Sequence, residues 1–161
     1  MRLAIIAGGW CDLQIIEKLS VLQVDGFIGL GDFECPNLLS NYLGLLGEKD
    51  GVFVKHFLDQ GRYLRSAHGL SSDFTTNKWV SHMPPLGPTG LVGGFKVGDP
   101  TLLSLIEERK PSLLIHGHSE FHGEAIVGET RVVSVGPVNK GYLAFYYPLS
   151  EELVLSSLAM R

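Results

Sequence analysis

Three short apolar segments of this chain run directly into residues that can bind a metal ion, and this pattern limits the fold more than any other feature. Each segment has the composition of a buried strand and is followed by its polar residue: Asp32 after residues 26–30, His82 after residues 78–80, and His118 after residues 113–116. Because open α/β sheets build their sites at the carboxyl ends of strands, we expect the three side chains to converge. A carboxylate with two imidazoles suits Mn, Fe or Zn.

Composition indicates one ordinary globular domain spanning residues 1–161. The chain is 45% hydrophobic and only 19% charged, which is too apolar for a disordered polypeptide and sufficient for a single core. A net charge of −4 gives no electrostatic footprint for nucleic acid. No apolar run reaches the roughly 18 residues of a membrane span, and the first residues lack a signal peptide pattern. We therefore expect a cytoplasmic protein that does not enter membranes.

The predicted elements run β-α-β-α-β and then mostly β, with one helix between the later strands. The predicted helices cover residues 13–22 after Asp12 as N-cap, residues 36–45 ended by Gly47, and a segment that begins at Asp99 and Pro100 and ends at Pro111. The predicted strands cover residues 2–7, 26–32, 51–55, 78–80, 112–116, 125–127, 130–135, 142–147 and 153–155. Residues 62–77 are a predicted loop with room for one short strand, and residues 84–98 are a predicted loop. This order predicts two packed mixed sheets flanked by helices.

The metal-binding segments, in their order along the chain, resemble the calcineurin-like metallophosphoesterases, particularly the small single-domain prokaryotic members. The signature of that family runs Asp-x-His after the first strand, Gly-Asp after the second, Gly-Asn-His-Asp after the third, a His often followed by Pro-Pro, and a final Gly-His-x-His. The matching segments here are Gly31-Asp32, His82-Met83-Pro84-Pro85 and Gly117-His118. The resemblance covers nearly the whole chain. It implies a two-sheet α/β/β/α sandwich and a metal-dependent hydrolase acting on a phosphate-containing small molecule.

The second metal site of the family pattern is largely retained. Asp32 and the two histidines match its ligands, but at residues 56–59, where we place Gly-Asn-His-Asp, Phe57 replaces the Asn ligand. Leu58 then stands where the family has its catalytic His, so no catalytic residue is assigned. The resemblance thus implies one divalent ion or none, rather than the usual pair.

The first metal site of the family pattern is mostly lost. Gly8 and Trp10 replace its Asp and His, and the indole of Trp10 is expected to fill the space of the missing ion. Glu120 replaces the final His, and is either a substitute ligand or a solvent-facing carboxylate. His116 is expected to support the site or join the core, because side chains alternate along a strand.

Three functions remain compatible with this sequence. The first is a divergent phosphoesterase homologue with zero or one metal ion and weak or no hydrolysis, in effect a pseudoenzyme. The second is an active phosphoesterase that rebuilds its first metal site from Glu120, Cys11 or Asp12. The third is a non-catalytic binding or scaffold subunit, a homo-oligomer included. Cys11 and Cys35 are read as two small buried hydrophobes, with a disulfide or metal-bound thiolates as the alternatives.

Overall fold

A computed structural model describes residues 1–159, and in it helices alternate with strands early in the chain while strands dominate later. The α-helices are α1 (Leu13–Ser20), α2 (Val52–Asp59) and α3 (Pro100–Arg109). The strands are β1 (Leu3–Ile6), β2 (Gly26–Gly29), β3 (Tyr42–Gly44), β4 (Ser66–Ala67), β5 (Leu70–Ser71), β6 (Lys78–Ser81), β7 (Leu91–Val92), β8 (Phe95–Lys96), β9 (Leu113–His116), β10 (Gly123–Val127), β11 (Thr130–Ser134), β12 (Tyr142–Tyr147) and β13 (Glu152–Ser157). Short 3-10 helices cover Pro36–Leu38 and Val138–Lys140.

Two mixed sheets form the body of the molecule. The first sheet has the strand order β13-β12-β1-β2-β3, and the second has the order β10-β11-β9-β6-β5-β4. Strands β1, β2 and β3 are parallel in the first sheet, as are β11, β9, β6 and β5 in the second. Because parallel strands end at the same edge of a sheet, the loops after β1, β2 and β3 lie together, and so do those after β6 and β9.

The layers are built by strands whose two faces are both buried. In β1, Leu3 and Ile5 face the second sheet, whereas Ala4 and Ile6 face helices α1 and α2. Helix α3 covers the outer face of the second sheet. Its buried side chains form one hydrophobic cluster with Leu114 of β9. A strand buried on both faces requires a continuous apolar sequence, which is the pattern seen in these segments. The predicted α/β/β/α sandwich is confirmed.

Two elements of the sequence prediction are wrong. Residues 36–45 form only the short 3-10 helix before the chain extends into β3, because Tyr42 pairs with Phe27 of β2 and completes the parallel edge. Residues 51–55 belong to helix α2 rather than to a strand. Val54 and Leu58 are four residues apart and both bury against the first sheet, so tertiary packing overrides the β propensity of Val-Phe-Val.

The predicted loops contain short regular segments. Residues 62–77 include β4 and β5, and residues 84–98 include the β7–β8 hairpin. These segments are only two residues long each, so their sequences show no periodicity that could be recognised.

The glycine at the end of β2 gives a first test of this packing. We expect Gly29→Ala to lower the free energy of unfolding by about 1–3 kcal/mol, because the added Cβ would overlap the phenol of buried Tyr42. Urea denaturation measures this loss. Gly51→Ala is the matched control, since a Cβ there meets nothing within 4 Å, and it should have a clearly smaller effect. Equal stability of Gly29→Ala and the wild type would contradict the described packing of Tyr42.

Candidate metal centre

Four side chains from the two sheets converge at the strand ends. Asp32 follows β2, Glu48 follows β3, His82 follows β6 and His118 follows β9, and one potential ligand atom of each lies within 4.8 Å of all the others. The first sheet supplies both carboxylates and the second supplies both imidazoles. Three of the four residues are those that the sequence indicated; Glu48 was not among them.

Two members of the cluster adopt a backbone conformation that is unusual for residues other than glycine. Asp32 has φ of 59° and His118 has φ of 57°, both in the left-handed region. Such conformations cost free energy and persist where the surrounding structure enforces them, which occurs most often at functional sites.

The loop after β3 wraps around the Asp32 side chain. The amide of Lys49 donates to Asp32 Oδ1 at 2.7 Å. Asp50 Oδ2 accepts the amides of Asp32 at 2.9 Å and Gly47 at 2.8 Å, and thereby joins the ends of β2 and β3. A Cβ at position 47 would overlap the Asp32 carboxylate, so only glycine allows this close approach. These contacts place Glu48 beside the two histidines.

Hydrogen bonds orient the imidazole of His82, and a close contact with Glu48 holds that of His118. His82 Nδ1 donates to the carbonyl oxygen of Leu30 at 2.7 Å, which directs Nε2 towards the carboxylate of Glu48 and, at 3.3 Å, Asp32 Oδ2. His118 Nδ1 lies 2.7 Å from the other oxygen of Glu48. A backbone carbonyl that accepts from one ring nitrogen leaves the other free for a metal, as in most histidine ligands.

Burial and charge act in opposite directions on the two carboxyl groups of this loop. Burial raises the pKa of Glu48, but hydrogen bonds and the adjacent His82 and His118 outweigh it and lower the pKa of Glu48 below its usual value. For Asp50, burial dominates and raises the pKa, against the two amides that it accepts. Glu48 is therefore the carboxylate of the loop that is best suited to remain ionised beside a cation.

The donor set fits a divalent transition-metal ion. Two imidazole nitrogens and two carboxylate oxygens are borderline-to-hard ligands that suit Zn, Mn or Fe. In a tetrahedral site with bonds of about 2.0–2.2 Å, the ligand atoms lie roughly 3.3–3.6 Å from one another. The four atoms of the cluster lie within 4.8 Å, so side-chain shifts of about 1 Å would bring them to that spacing.

His116 lies outside the cluster and is fully buried. Its Nδ1 donates to the Gly117 carbonyl oxygen, so its Nε2 accepts from the Thr89 hydroxyl at 2.8 Å. Burial lowers the pKa of His116 to about 4, which keeps the ring neutral. Ser119 Oγ donates to the Thr89 carbonyl oxygen at 2.7 Å. This network ties the loop over residues 84–98 to the strand end that positions His118.

A cavity of about 400 Å³ borders the cluster at Asp32 and His118. Gly8, Trp10 and Glu120 line it, as expected for the first metal site of the family pattern. Trp10 does not fill the space, since its side chain is 63% exposed and a Cβ at Gly8 would meet nothing within 4 Å. Glu120 faces the cavity but accepts the amide of Gly93 at 2.8 Å and is not part of the cluster.

Phe57 and Leu58 lie on α2 within the core on the outer face of the first sheet, and neither lines the cavity. With β3 at Tyr42–Gly44, the position after the third strand is Gly47-Glu48-Lys49-Asp50. Its first and last residues agree with Gly-Asn-His-Asp, and this spacing is the signal that could have found Glu48. Glu48 then replaces the Asn, and Lys49 replaces the catalytic His.

Two of the residues considered for rebuilding the first metal site have other roles. Cys11 forms a disulfide with Cys35, across a Cα–Cα distance of 5.7 Å, so the interpretation of both as free buried thiols is wrong. Asp12 caps helix α1, where its Oδ1 accepts the amides of Gln14 and Ile15. Of the three candidates, Glu120 alone lines the cavity.

Several solved structures have a similar fold. The Thermus thermophilus protein TT1561 has a TM-score of 0.69 at 11% identity, over 98% of this chain and 99% of its own. An archaeal phosphodiesterase has a TM-score of 0.59 at 14% identity, over 98% and 100%. A single mutant of Vps29 from Entamoeba histolytica has a TM-score of 0.55 at 11% identity, over 100% of both chains. The chain has the metallophosphoesterase fold that its motifs indicate.

By sequence, the chain matches no protein-family profile and no curated protein. Within residues 1–159, no helix combines the length and apolar character needed to cross a bilayer.

The buried contact between Thr89 and His116 provides a test of the network beside the cluster. We expect Thr89→Val to lower the free energy of unfolding by about 1–3 kcal/mol, because it leaves a buried imidazole nitrogen without a partner at nearly unchanged volume. Urea denaturation measures this loss. Thr101→Val, at an exposed position, is the control and should be close to wild type. A loss of the same size in both variants would contradict the buried hydrogen bond.

Proposed function

We propose that this protein is a divergent phosphoesterase homologue that binds one divalent metal ion through Asp32, Glu48, His82 and His118 and hydrolyses phosphoesters slowly. The observation that supports it is the convergence of these four ligand atoms at the strand ends. The ligand would be a phosphate-containing small molecule that enters the adjacent cavity.

The residues of the site have separate tasks in this proposal. A bound ion would act as a Lewis acid on a phosphoryl oxygen and would lower the pKa of a water molecule. Asp32 and Glu48 supply negative charge to hold the ion, and the Leu30 carbonyl keeps His82 in the tautomer that leaves Nε2 free. Lys49 lines the cavity, where its ammonium group can stabilise charge that develops on a substrate oxygen.

Slow turnover follows from the residues that stand in place of the metal ligands and the catalytic His of the family pattern. Two-metal sites stabilise the attacking and the leaving oxygen at the same time, and Gly8 and Trp10 offer no side-chain ligand for a second ion. A lysine donates a proton less readily than an imidazole does, so Lys49 replaces only part of the work of a catalytic His. Each such loss typically costs one or more powers of ten in rate.

Metal binding tests whether Glu48, as in the cluster, or Glu120, as in the ligand set that the sequence indicated, is the fourth ligand. Glu48→Gln should weaken Mn²⁺ binding by at least about tenfold, because it removes a negative charge at constant size. Glu120→Gln changes a carboxylate in the same cavity but outside the cluster, and should bind Mn²⁺ nearly as the wild type does. Isothermal titration calorimetry on protein purified without chelator measures both. A loss confined to Glu120→Gln would contradict the proposal.

Restoring the family pattern tests the explanation for slow turnover. The combined variant Gly8→Asp, Trp10→His, Glu48→Asn, Lys49→His and Glu120→His should bind two Mn²⁺ ions per chain. It should hydrolyse bis(p-nitrophenyl) phosphate at least about tenfold faster than the wild type. The backbone at Gly8 has φ of 67°, a conformation that Asp tolerates better than most residues do. Robust wild-type turnover that His118→Ala abolishes would show that the site is differently built rather than impaired.

The placement of Gly-Asn-His-Asp at residues 56–59 provides the control for that variant. Phe57→Asn with Leu58→His should give no gain in hydrolysis, because neither residue lines the cavity. Leu58 is only 1% exposed, and an imidazole there should cost about 2–5 kcal/mol of stability. A gain in rate from this pair would restore the placement of the motif at residues 56–59.

A further inference from the structure

The cavity beside the metal cluster has an aromatic wall that the proposed hydrolysis does not use. Trp10 lines the cavity with a largely exposed side chain, and its backbone is fixed to Asn139. The amide of Trp10 donates to Asn139 Oδ1 at 3.1 Å, and Asn139 Nδ2 donates to the Trp10 carbonyl oxygen at 3.4 Å. Beside it, the space over Gly8 is open. The indole therefore lines the cavity and does not fill it.

The charges around this volume are mostly negative. The residues that line the cavity include four carboxylates but only one lysine and one histidine. The carboxylates are those of Asp32, Glu34, Asp50 and Glu120, and the basic residues are Lys49 and His118. Glu34, Asp50 and Glu120 form no ion pair within residues 1–159. One ion at the cluster would offset Asp32 and Glu48, and would leave the other carboxylates that line the cavity as an excess of negative charge.

An exposed indole that lines the same cavity as carboxylates outside any ion pair is a combination that attracts ammonium groups. The face of tryptophan attracts cations through its quadrupole, more strongly than tyrosine or phenylalanine does. Carboxylates add direct charge attraction. The volume of about 400 Å³ lies within the range of about 300–1,000 Å³ that small-molecule sites occupy.

We propose that this cavity binds an ammonium group against Trp10, Glu34 and Glu120, and that the substrate of the site is a phosphoester of a small cationic alcohol, of which phosphocholine is the simplest probe. Binding of the phosphate group of this substrate rests on the proposed function, because it requires an ion at the cluster. Binding of its ammonium group, the ammonium end, rests on the cavity alone.

The same charges disfavour nucleotides. An aromatic wall can stack on a nucleobase, but each further phosphate would approach the carboxylates of Glu34, Asp50 and Glu120. Like charges in a partly enclosed site repel more strongly than they do in water. A cationic alcohol instead gains from both the indole and the carboxylates.

The ammonium end is tested without metal. Choline should quench the fluorescence of the full-length protein and bind at least about fivefold more tightly than its uncharged isostere, in which carbon replaces the nitrogen. A change in the signal on choline binding reports Trp10, because Trp79 is buried and does not line the cavity. Glu34→Gln should weaken choline binding by at least about threefold, whereas Glu107→Gln on the outer helix α3 should not. Trp10→Leu, measured by calorimetry, should weaken it at least as much as Glu34→Gln.

Equal binding of choline and its isostere to the wild type would overturn the inference, whether or not the variants fold.

A second comparison separates this inference from the proposed function. With Mn²⁺ present, phosphocholine should bind more tightly than the phosphate ester of the uncharged isostere, and His118→Ala should weaken both phosphates but not choline. If both phosphates bind equally and depend on His118, the inference fails and the proposed function stands. If choline binds but Mn²⁺ adds nothing to phosphocholine, the ammonium site stands and its link to hydrolysis fails. Tighter binding of adenosine diphosphate than of phosphocholine would also overturn the inference.

Discussion

The candidate site depends on the contact of the carboxylates of one sheet with the imidazoles of the other. Glu48 reaches both His82 and His118, while Asp32 lies 3.3 Å from His82 Nε2. Carboxylates this close together repel each other, and a cation between them would offset that repulsion. The loops after β2 and β9 hold Asp32 and His118 in the left-handed backbone region at this point of contact. A metal ion would satisfy all four groups at once.

The part of the site that sequence reasoning predicted is the part attached directly to strand ends. Asp32, His82 and His118 each follow a strand with a distinctive apolar sequence, and the strand-end rule was sufficient to bring them together. Glu48 was missed because it follows β3, a three-residue strand whose sequence is preceded by a proline typical of a helix start. Its extended conformation comes from pairing with β2, and such a long-range contact leaves little trace in the local sequence.

The misplacement of helix α2 had a larger consequence than an error in secondary structure. Reading Val52 to Val54 as strand moved the expected motif by nine residues and put two core side chains into the site. Leu58 packs against the sheet because it follows Val54 by one helical turn, a period that a short window of β-branched residues conceals. With the family pattern placed on residues 47–50, Glu48 stands at the position of its Asn and Lys49 at the position of its His, so both positions carry polar groups.

The disulfide connects the two loops that form the open side of the cavity. Cys11 follows Trp10 and Cys35 follows Glu34, so the covalent link limits how far the two backbone segments that carry these side chains can separate. A further contact, the Glu34 amide donating to the Gly9 carbonyl oxygen at 2.9 Å, acts in the same direction. Walls that are rigid before binding lose less conformational entropy when a ligand enters, which increases affinity without additional contacts. Disulfides persist mainly in oxidising compartments. The affinity of the cavity should consequently depend on the redox conditions around the protein, whereas the metal cluster on the other side of Asp32, which uses neither cysteine, should not.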